Sequence, residues 1–478
     1  MVRGIEKTLT HIEGLDLVLH GGIPTGRVTL VGGGPGTGKT LLGLEFLYRS
    51  ALTGHPGIFL SFEETAANLR GNVASFGWDL PALEKNGRLY LMEGSVAPET
   101  VISGTFSIGG FLAIIRGKAD EMGGSLLVID ALDVLMGLFE DSGRQRQQVN
   151  LLHRWLAEQN MTVILTSKKG ATPDNGVRTC EYLDFLADCV IYLDQRINKQ
   201  IITKRLQVVK YRGSAYDGNE VPFAVVDDGL YFNAVSNMNL NYEPSEQRFS
   251  SGLDALDQML GGGYMKGSCI LIDGASGVGK TALASTFVSD ACTNGRKALY
   301  INYEESQSGM LSSMQSIGID LEPALTAGRL ETYIAMPETR GIEVHLYYID
   351  RLVKRFQPDH LVVDAISALK RILEEAPFVD AVLRLICLCR AQDITLILLN
   401  QSASRNCGHA GNRLGVSSMI DTILRLSYQE REDAMQRTLQ IQKFRGSRHS
   451  NRRRSFLLTD KGLSLVKKPP AEIHSKSA

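Results

Sequence analysis

Two stretches of this sequence carry the same phosphate-binding chemistry. Gly33-x-x-x-x-Gly38-Lys39-Thr40 and Gly274-x-x-x-x-Gly279-Lys280-Thr281 each follow an apolar run and open a stretch of helical spacing. Glycines let the backbone curl so that several N–H groups face inward, and the following helix adds the positive end of its dipole. Such a loop cradles nucleotide phosphates with the backbone of Gly36, Thr37 and Gly38, and of Gly277, Val278 and Gly279. Lys39 and Lys280 would reach the terminal phosphates, and the hydroxyls of Thr40 and Thr281 would bind Mg²⁺. Two loops predict two sites for ATP with Mg²⁺.

Carboxylates stand where such loops need them. Asp130 closes the run Ser-Leu-Leu-Val-Ile-Asp, and Asp364 closes Leu-Val-Val-Asp. An aspartate at the tip of a buried strand beside a P-loop is sited to hold Mg²⁺ or its water shell. An aspartate that only caps the strand end is the plainer alternative. Glu63-Glu64 and Glu304-Glu305 also end apolar runs, followed by Thr65 and Ser306 as helix caps. Alternation along a strand predicts that one member of each pair faces the phosphates. It would take the proton of an attacking water or hydroxyl, with Glu304 also near the metal; a helix-start acid would merely satisfy the dipole. Lys210-x-Arg212 and Lys443-x-Arg445 place two cations on one face of a predicted strand. They suit charge on a transferring phosphoryl group, supplied within the chain or by a neighbour, and suit a solvated strand face equally well.

These residues recur as one duplicated arrangement. Lys39 and Lys280 lie 241 residues apart, as do Glu63 and Glu304, and Ser75-x-Gly77-x-Asp79 and Ser316-x-Gly318-x-Asp320. The offset slips to 234 for Asp130 and Asp364, and to 233 for the Lys-x-Arg pairs. Ordered matches of this density are a tandem duplication. An Asn/Ser-rich linker at 233–245 divides the chain into domains 1–240 and 241–478. In the first copy the patterns predict strands at 27–31, 57–62, 126–130 and 162–166. Helices are expected at 40–52 and 147–159, the latter with Val149, Leu152, Trp155 and Leu156 on one face. Alternating β and α predicts an α/β fold: two tandem P-loop domains, each a mainly parallel sheet flanked by helices. Ligands then belong outside the carboxyl ends of the strands. β-rich tails are expected at 189–232 and 423–466.

Composition narrows the functions further. With 51 basic and 52 acidic residues the chain is not a general polyanion binder, although Arg448, Arg452, Arg453 and Arg454 form a local basic cluster. No apolar run approaches the roughly 18 residues of a membrane-spanning helix, and the first residues lack a secretion signal's apolar core. Seven cysteines, mostly in apolar segments, read as reduced thiols of a cytoplasmic protein. Cys387-Leu-Cys389 lacks a second pair to complete a zinc site.

His20-Gly-Gly22, Phe62-Glu63-Glu64-Thr65, Ser75-Phe-Gly-Trp78, Lys210-x-Arg212-Gly213 and Lys443-x-Arg445-Gly-Ser-x-His449 together resemble the KaiC family over almost the whole chain. That family comprises duplicated RecA-like ATPases typified by a circadian clock protein. The resemblance implies a two-tiered homohexamer with ATP between subunits and Lys-x-Arg reaching a neighbour's phosphates. It implies nucleotide contacts from Ser75, Lys210, Arg212, Ser214, Tyr216 and Asp227 in the first domain. In the second it implies them from Arg437, Lys443, Arg445, Ser447 and His449. It further implies slow ATP hydrolysis in the first domain and autophosphorylation of adjacent hydroxyl residues in the second. Val416-Ser417-Ser418-Met-Ile-Asp421 resembles the acceptor segment. Aligned through Asp188 and Asp421, the first copy has Asp184 and Phe185 where the second has Ser417 and Ser418. Hydroxyl acceptors thus occur in one copy alone, as a hydrolase tier and a kinase tier would require.

Asn412 and Arg413 depart from the family pattern, replacing a Thr-Asp pair, and only a short tail follows Val466. The tail argues against a KaiA-type activator; a KaiB-type partner on the first ring fits the resemblance. Two other functions share these residues. One is a RecA-type DNA motor, a recombinase or helicase. The other is a KaiC-like ATPase that gates a signalling partner without phosphorylation. Balanced charge and the lack of an appended nucleic-acid module speak against the motor.

Overall fold

The structure is a computed structural model that describes residues 5–94, 108–137, 139, 142–168, 181–233, 245–402, 415–431 and 434–466. These residues form two compact units that part between residues 233 and 245. The departure at Asn412-Arg413 and most of the linker lie outside the described residues.

The first unit is built on nine strands: β1 (Val28–Gly33), β2 (Gly57–Ser61), β3 (Leu89–Glu93), β4 (Leu126–Asp130), β5 (Thr162–Lys168), β6 (Cys189–Asn198), β7 (Ile201–Tyr211), β8 (Glu220–Val226) and β9 (Gly229–Phe232). They are ordered β9-β8-β7-β6-β1-β5-β4-β2-β3. β1 is parallel to both neighbours, β5 and β6, and the parallel ladders continue through β4 to β2 and β3. β8 runs antiparallel to β7 and β9, so the predicted tail extends the sheet.

All six residues of β1 are buried, which is why its sequence, Val-Thr-Leu-Val-Gly-Gly, carries no charged residue and does not alternate with exposed polar positions. One face of the sheet packs Val31, Phe59, Val128 and Ile164 under α1 (Lys39–Leu52), with Leu42, Phe46 and Leu47. The other packs Leu30, Leu60, Ile129 and Val163 against Val149, Leu152 and Leu156 of α2 (Ser142–Gln159), with Trp155 partly buried. That helix starts five residues before the predicted one, in a polar turn whose spacing gives no apolar stripe.

The second unit repeats the plan: β10 (Cys269–Gly274), β11 (Ala298–Asn302), β12 (Leu330–Ile334), β13 (His360–Asp364), β14 (Thr395–Gln401), β15 (Thr422–Arg431), β16 (Ala434–Phe444), β17 (Arg454–Thr459) and β18 (Gly462–Leu465). Read from the other edge, their order matches the first sheet strand for strand. The helix α3 (Lys280–Thr293) covers one face through Leu283, Ala284 and Phe287. α4 (Glu375–Ala391) covers the other through Phe378, Leu385 and Ile386. Among the described residues no helix is long and apolar enough to cross a membrane.

Candidate nucleotide sites

Each P-loop leaves the carboxyl end of the central strand and enters the helix behind it. Gly36 and Gly38, and Gly277 and Gly279, have positive φ, 70° and 106° in the first loop and 73° and 106° in the second. Only glycine adopts such a backbone freely, and it is this curl that leaves the loop's N–H groups facing inward. Lys39 Nζ donates to the Gly34 carbonyl at 2.9 Å, and Thr37 Oγ1 to the same carbonyl at 2.8 Å. Lys280 Nζ donates to Gly274 at 3.1 Å and Ala275 at 2.9 Å. Val278 replaces Thr37 and is fully buried, so only its backbone N–H serves a phosphate. Burial lowers the pKa of both lysines, while Asp130 and Glu63, or Asp364 and Glu304, oppose the shift.

The strand-end aspartates meet the loop hydroxyls. Thr40 Oγ1 donates to Asp130 Oδ2 at 2.8 Å, and Thr281 Oγ1 to Asp364 Oδ2 at 2.8 Å. A second donor differs between domains: Thr166 of β5 on Asp130, and the buried phenol of Tyr300 on Asp364 at 2.9 Å. Burial raises the pKa of both aspartates, and the hydroxyl donors hold it back. No cluster of three His, Cys, Asp or Glu side chains is placed to hold a metal among the described residues. One carboxylate and one hydroxyl beside a phosphate cradle is nevertheless a donor set that suits Mg²⁺, which keeps waters and substrate phosphates as its remaining ligands.

The glutamate pairs lie differently from expectation. β2 ends at Ser61 and β11 at Asn302, so Glu63-Glu64 and Glu304-Glu305 sit in a bend beyond the strands, and strand alternation does not separate them. Side-chain caps on the bend position them instead. The Glu64 amide donates to Ser61 Oγ at 2.9 Å, and the amides of Glu304 and Glu305 donate to Asn302 Oδ1 at 2.9 and 3.0 Å. Glu63 receives Lys168 Nζ at 2.8 Å, while Glu64 receives Asn72 Nδ2 at 2.6 Å. Glu63 and Glu304 are the members whose charges act on the P-loop lysines.

The Lys-x-Arg pairs stand at the other end of each sheet. The Arg212 amide donates to the Asp188 carbonyl, beside the start of β1, and the Arg445 amide to that of Asp421, beside the start of β10. Four residues of strand, roughly 13 Å, separate those starts from the P-loops, so neither pair serves the phosphates of its own domain. β7 and β16 end one residue before each arginine, so Arg212 and Arg445 are turn residues rather than strand neighbours of the lysines. Ser214, whose hydroxyl donates to Ala215, and Tyr216, whose phenol donates to Val209, follow in the same turn. Ser75 is exposed at the end of the helix Ala66–Ala74, and Asp227 is exposed in the turn before β9. In the second domain Ser447 Oγ receives Arg248 at 2.7 Å, and the His449 ring packs on Phe444.

Ser417 and Ser418 share that far end. Lys443 Nζ donates to the carbonyls of Ser417 and Ile420 at 2.7 and 2.6 Å, and Arg445 Nη2 to that of Ser418 at 2.5 Å. Val416 and Ile420 belong to the core on the face opposite α3. Both serines therefore lie at the sheet end opposite the P-loop and Lys280 of their own domain.

Several neighbours of the P-loops escaped the sequence reading. Lys204 Nζ reaches the Gly36 carbonyl and Gln195 Oε1. Its counterpart Arg437 stacks on Tyr428, whose phenol donates to the Gly277 carbonyl at 2.7 Å. Lys204 lies 233 residues before Arg437, the same offset that relates the Lys-x-Arg pairs, and that spacing was the available signal. Lys168, Thr166 and Tyr300 gave none.

Sheet order, twin P-loops and strand-end aspartates define a tandem RecA-like P-loop ATPase. A family model described as "ATPase: KaiC" matches residues 8–235 and 249–469. The chain is 35% identical over 468 residues to a circadian clock protein KaiC2 of Synechocystis sp., covering 96% of this chain and 81% of that protein. It is 34% identical over 470 residues to a circadian clock oscillator protein KaiC of Parathermosynechococcus lividus, covering 97% and 86%. A KaiC of Synechococcus elongatus is 33% identical over 466 residues, covering 96% and 89%. The chain belongs to the KaiC family of ATPases.

Proposed function

We propose that the chain hydrolyses ATP on its first domain, and that its second domain transfers the γ-phosphoryl group of ATP to Ser417 or Ser418 of a neighbouring copy. The observation that carries this reading is the position of the two serines. They lie at the sheet end opposite their own P-loop, gripped through their carbonyls by Lys443 and Arg445. A ring of copies, a homohexamer in this reading, brings that end against the next P-loop through a repeated head-to-tail interface. Lys210, Arg212, Lys443 and Arg445 then face a neighbour's phosphates, where cations stabilise the charge of the transfer.

In the transfer the serine Oγ forms a bond to the γ-phosphorus. The bond from that phosphorus to the β–γ bridging oxygen breaks, and ADP leaves with the electron pair. The hydroxyl proton passes to Glu304 of the copy that holds the nucleotide. In the first domain water replaces the hydroxyl and Glu63 receives the proton. Mg²⁺ held by Thr40 with Asp130, and by Thr281 with Asp364, would neutralise charge on the phosphates. Binding of a KaiB-type partner to the first tier belongs to the same reading.

Intact mass before and after incubation with MgATP tests the proposal. A gain of phosphate that disappears in Ser417→Ala/Ser418→Ala is expected. ATP turnover with no gain in mass would leave an ATPase without kinase activity.

A further inference from the structure

The two domains differ in a small constellation beneath the P-loop strand. In the first, Gly32 of β1 stands beside Tyr192 of β6 so closely that a β-carbon on the glycine would lie 2.4 Å from the ring. The phenol reaches on to Asp184, with 3.0 and 2.7 Å to the two carboxylate oxygens. In the second domain the corresponding positions hold Asp273, Arg425 and Ser417. The ladders fix this correspondence: Gly32 pairs with Tyr192 as Asp273 pairs with Arg425. The loop is fixed as well, because Lys210 donates to the Asp184 carbonyl at 2.6 Å just as Lys443 donates to that of Ser417 at 2.7 Å.

Asp273 is fully buried and forms an ion pair with Arg425. Asn400 Nδ2 donates to its other oxygen at 2.7 Å, and Ser402 Oγ lies 3.2 Å from Oδ2 and 2.8 Å from Arg425 Nη1. The first domain thus shows that a side chain at the Tyr192 position reaches an anion at the Asp184 position. The second domain puts a guanidinium where the phenol stands and a hydroxyl where the anion stands. A serine hydroxyl has no need of a guanidinium. A phosphoserine, with a charge of about −1.5 to −2 and three acceptor oxygens, binds one in bidentate fashion.

We propose that Arg425 is the receptor for a phosphate on Ser417, held on Asp273 until that serine is modified. The source of the phosphate rests on the kinase reading above. Asn400 and Ser402 keep Asp273 hydrogen-bonded when the arginine turns away, so the carboxylate is not stranded. Asp273 directly precedes Gly274, the first P-loop glycine, so modification of a copy's acceptor segment is felt at that copy's own nucleotide strand.

The test installs phosphoserine at position 417 of the full chain by codon-directed incorporation, which needs no kinase activity. Without nucleotide, an added protein phosphatase then removes the phosphate while intact mass follows the loss. Arg425→Gln should speed removal by about tenfold, and Arg425→Lys by less, because an arginine-bound phosphate is shielded and the lysine keeps the charge. Since Arg425→Gln leaves Asp273 without its cation, Asp273→Gly/Arg425→Tyr, which copies the first domain, provides the second comparison and should also lose phosphate faster. Equal removal rates in the parent and in the double variant overturn the proposal. Absence of phosphate gain by the unmodified chain with MgATP would instead sink the kinase reading and leave this measurement standing.

Discussion

The two nucleotide sites share backbone, P-loop and aspartate, yet they treat their glutamates in opposite ways. Glu63 is paired with Lys168, which also sits 3.8 Å from Asp133 and donates its amide to that residue at 3.0 Å. The corresponding positions beside Glu304 are Gln401 and Ser367, and the Gln401 amide donates to Ser367 Oγ at 3.1 Å. One site thus carries a cation between two acids; the other carries neutral polar groups in the same places. The Lys168 ammonium occupies a Glu63 oxygen that would otherwise be open to an incoming proton. The difference accords with the roles proposed above for the two sites.

The sharpest break of this comparison is Glu304→Gln. A general base contributes roughly 10²–10⁴ in rate, so phosphate incorporation should fall by at least that lower factor, while Glu63→Gln leaves it nearly unchanged. In the proposed transfer each base serves the serines of another copy, so the loss should be complemented. Glu304→Gln chains mixed with Ser417→Ala/Ser418→Ala chains should regain phosphate, all of it on the Glu304→Gln partner. Full incorporation by Glu304→Gln alone would remove this residue from the chemistry.

Much of this geometry was legible in the sequence because it is local. The P-loops, the strand ends at Asp130 and Asp364, and the caps Thr65 and Ser306 each depend on residues a few positions apart. Lys168 was hidden because only the β1–β5 ladder brings it beside Gly33. The opposite placement of Lys210 and Arg212 was hidden for a related reason. Which end of the sheet a tail residue reaches depends on strand direction, and spacing along the chain does not encode that. The difference at the three positions Asp273, Arg425 and Ser417 was visible as mismatches between the copies, but mismatches acquire meaning only when the ladders pair them.

A second asymmetry predicts a pH dependence, arising from Glu45, that the second domain lacks at the corresponding position. Glu45 on α1 is fully buried, receives Arg49 Nε at 2.6 Å and the Leu230 amide at 2.7 Å, and has its pKa pushed up to about 7 by burial. Its counterpart 241 residues on is Thr286, which does not titrate. A carboxyl whose folded pKa is raised contributes stability that is fully present below its unfolded value and is lost as pH rises through about 7. Between pH 4.5 and 7.5 the first domain should therefore lose on the order of 2–3 kcal/mol relative to Glu45→Gln. Both tryptophans, Trp78 and Trp155, lie in that domain, so denaturant melts followed by fluorescence report on it alone. A pH-independent gap between the two chains would show that Glu45 stays charged.

The smallest expected effect bears most directly on the contrast between the acids. Exchanging the partners, Lys168→Gln in the first domain and Gln401→Lys in the second, leaves both glutamates in place and alters only their electrostatic company. An exposed ion pair is worth at most about 1 kcal/mol, so each rate should move by severalfold, not by orders of magnitude. Lys168→Gln should raise ATP hydrolysis, measured in the Lys280→Ala background to silence the second site, because it frees the Glu63 oxygen that the ammonium holds. Gln401→Lys should slow phosphate incorporation, since it places at the second site the ammonium that Lys168 supplies at the first. Opposite changes in the two rates are the signature. If both rates fall, Lys168 is a structural tie between the Glu63 bend and the end of β5, and the contrast between the two sites lies in other groups.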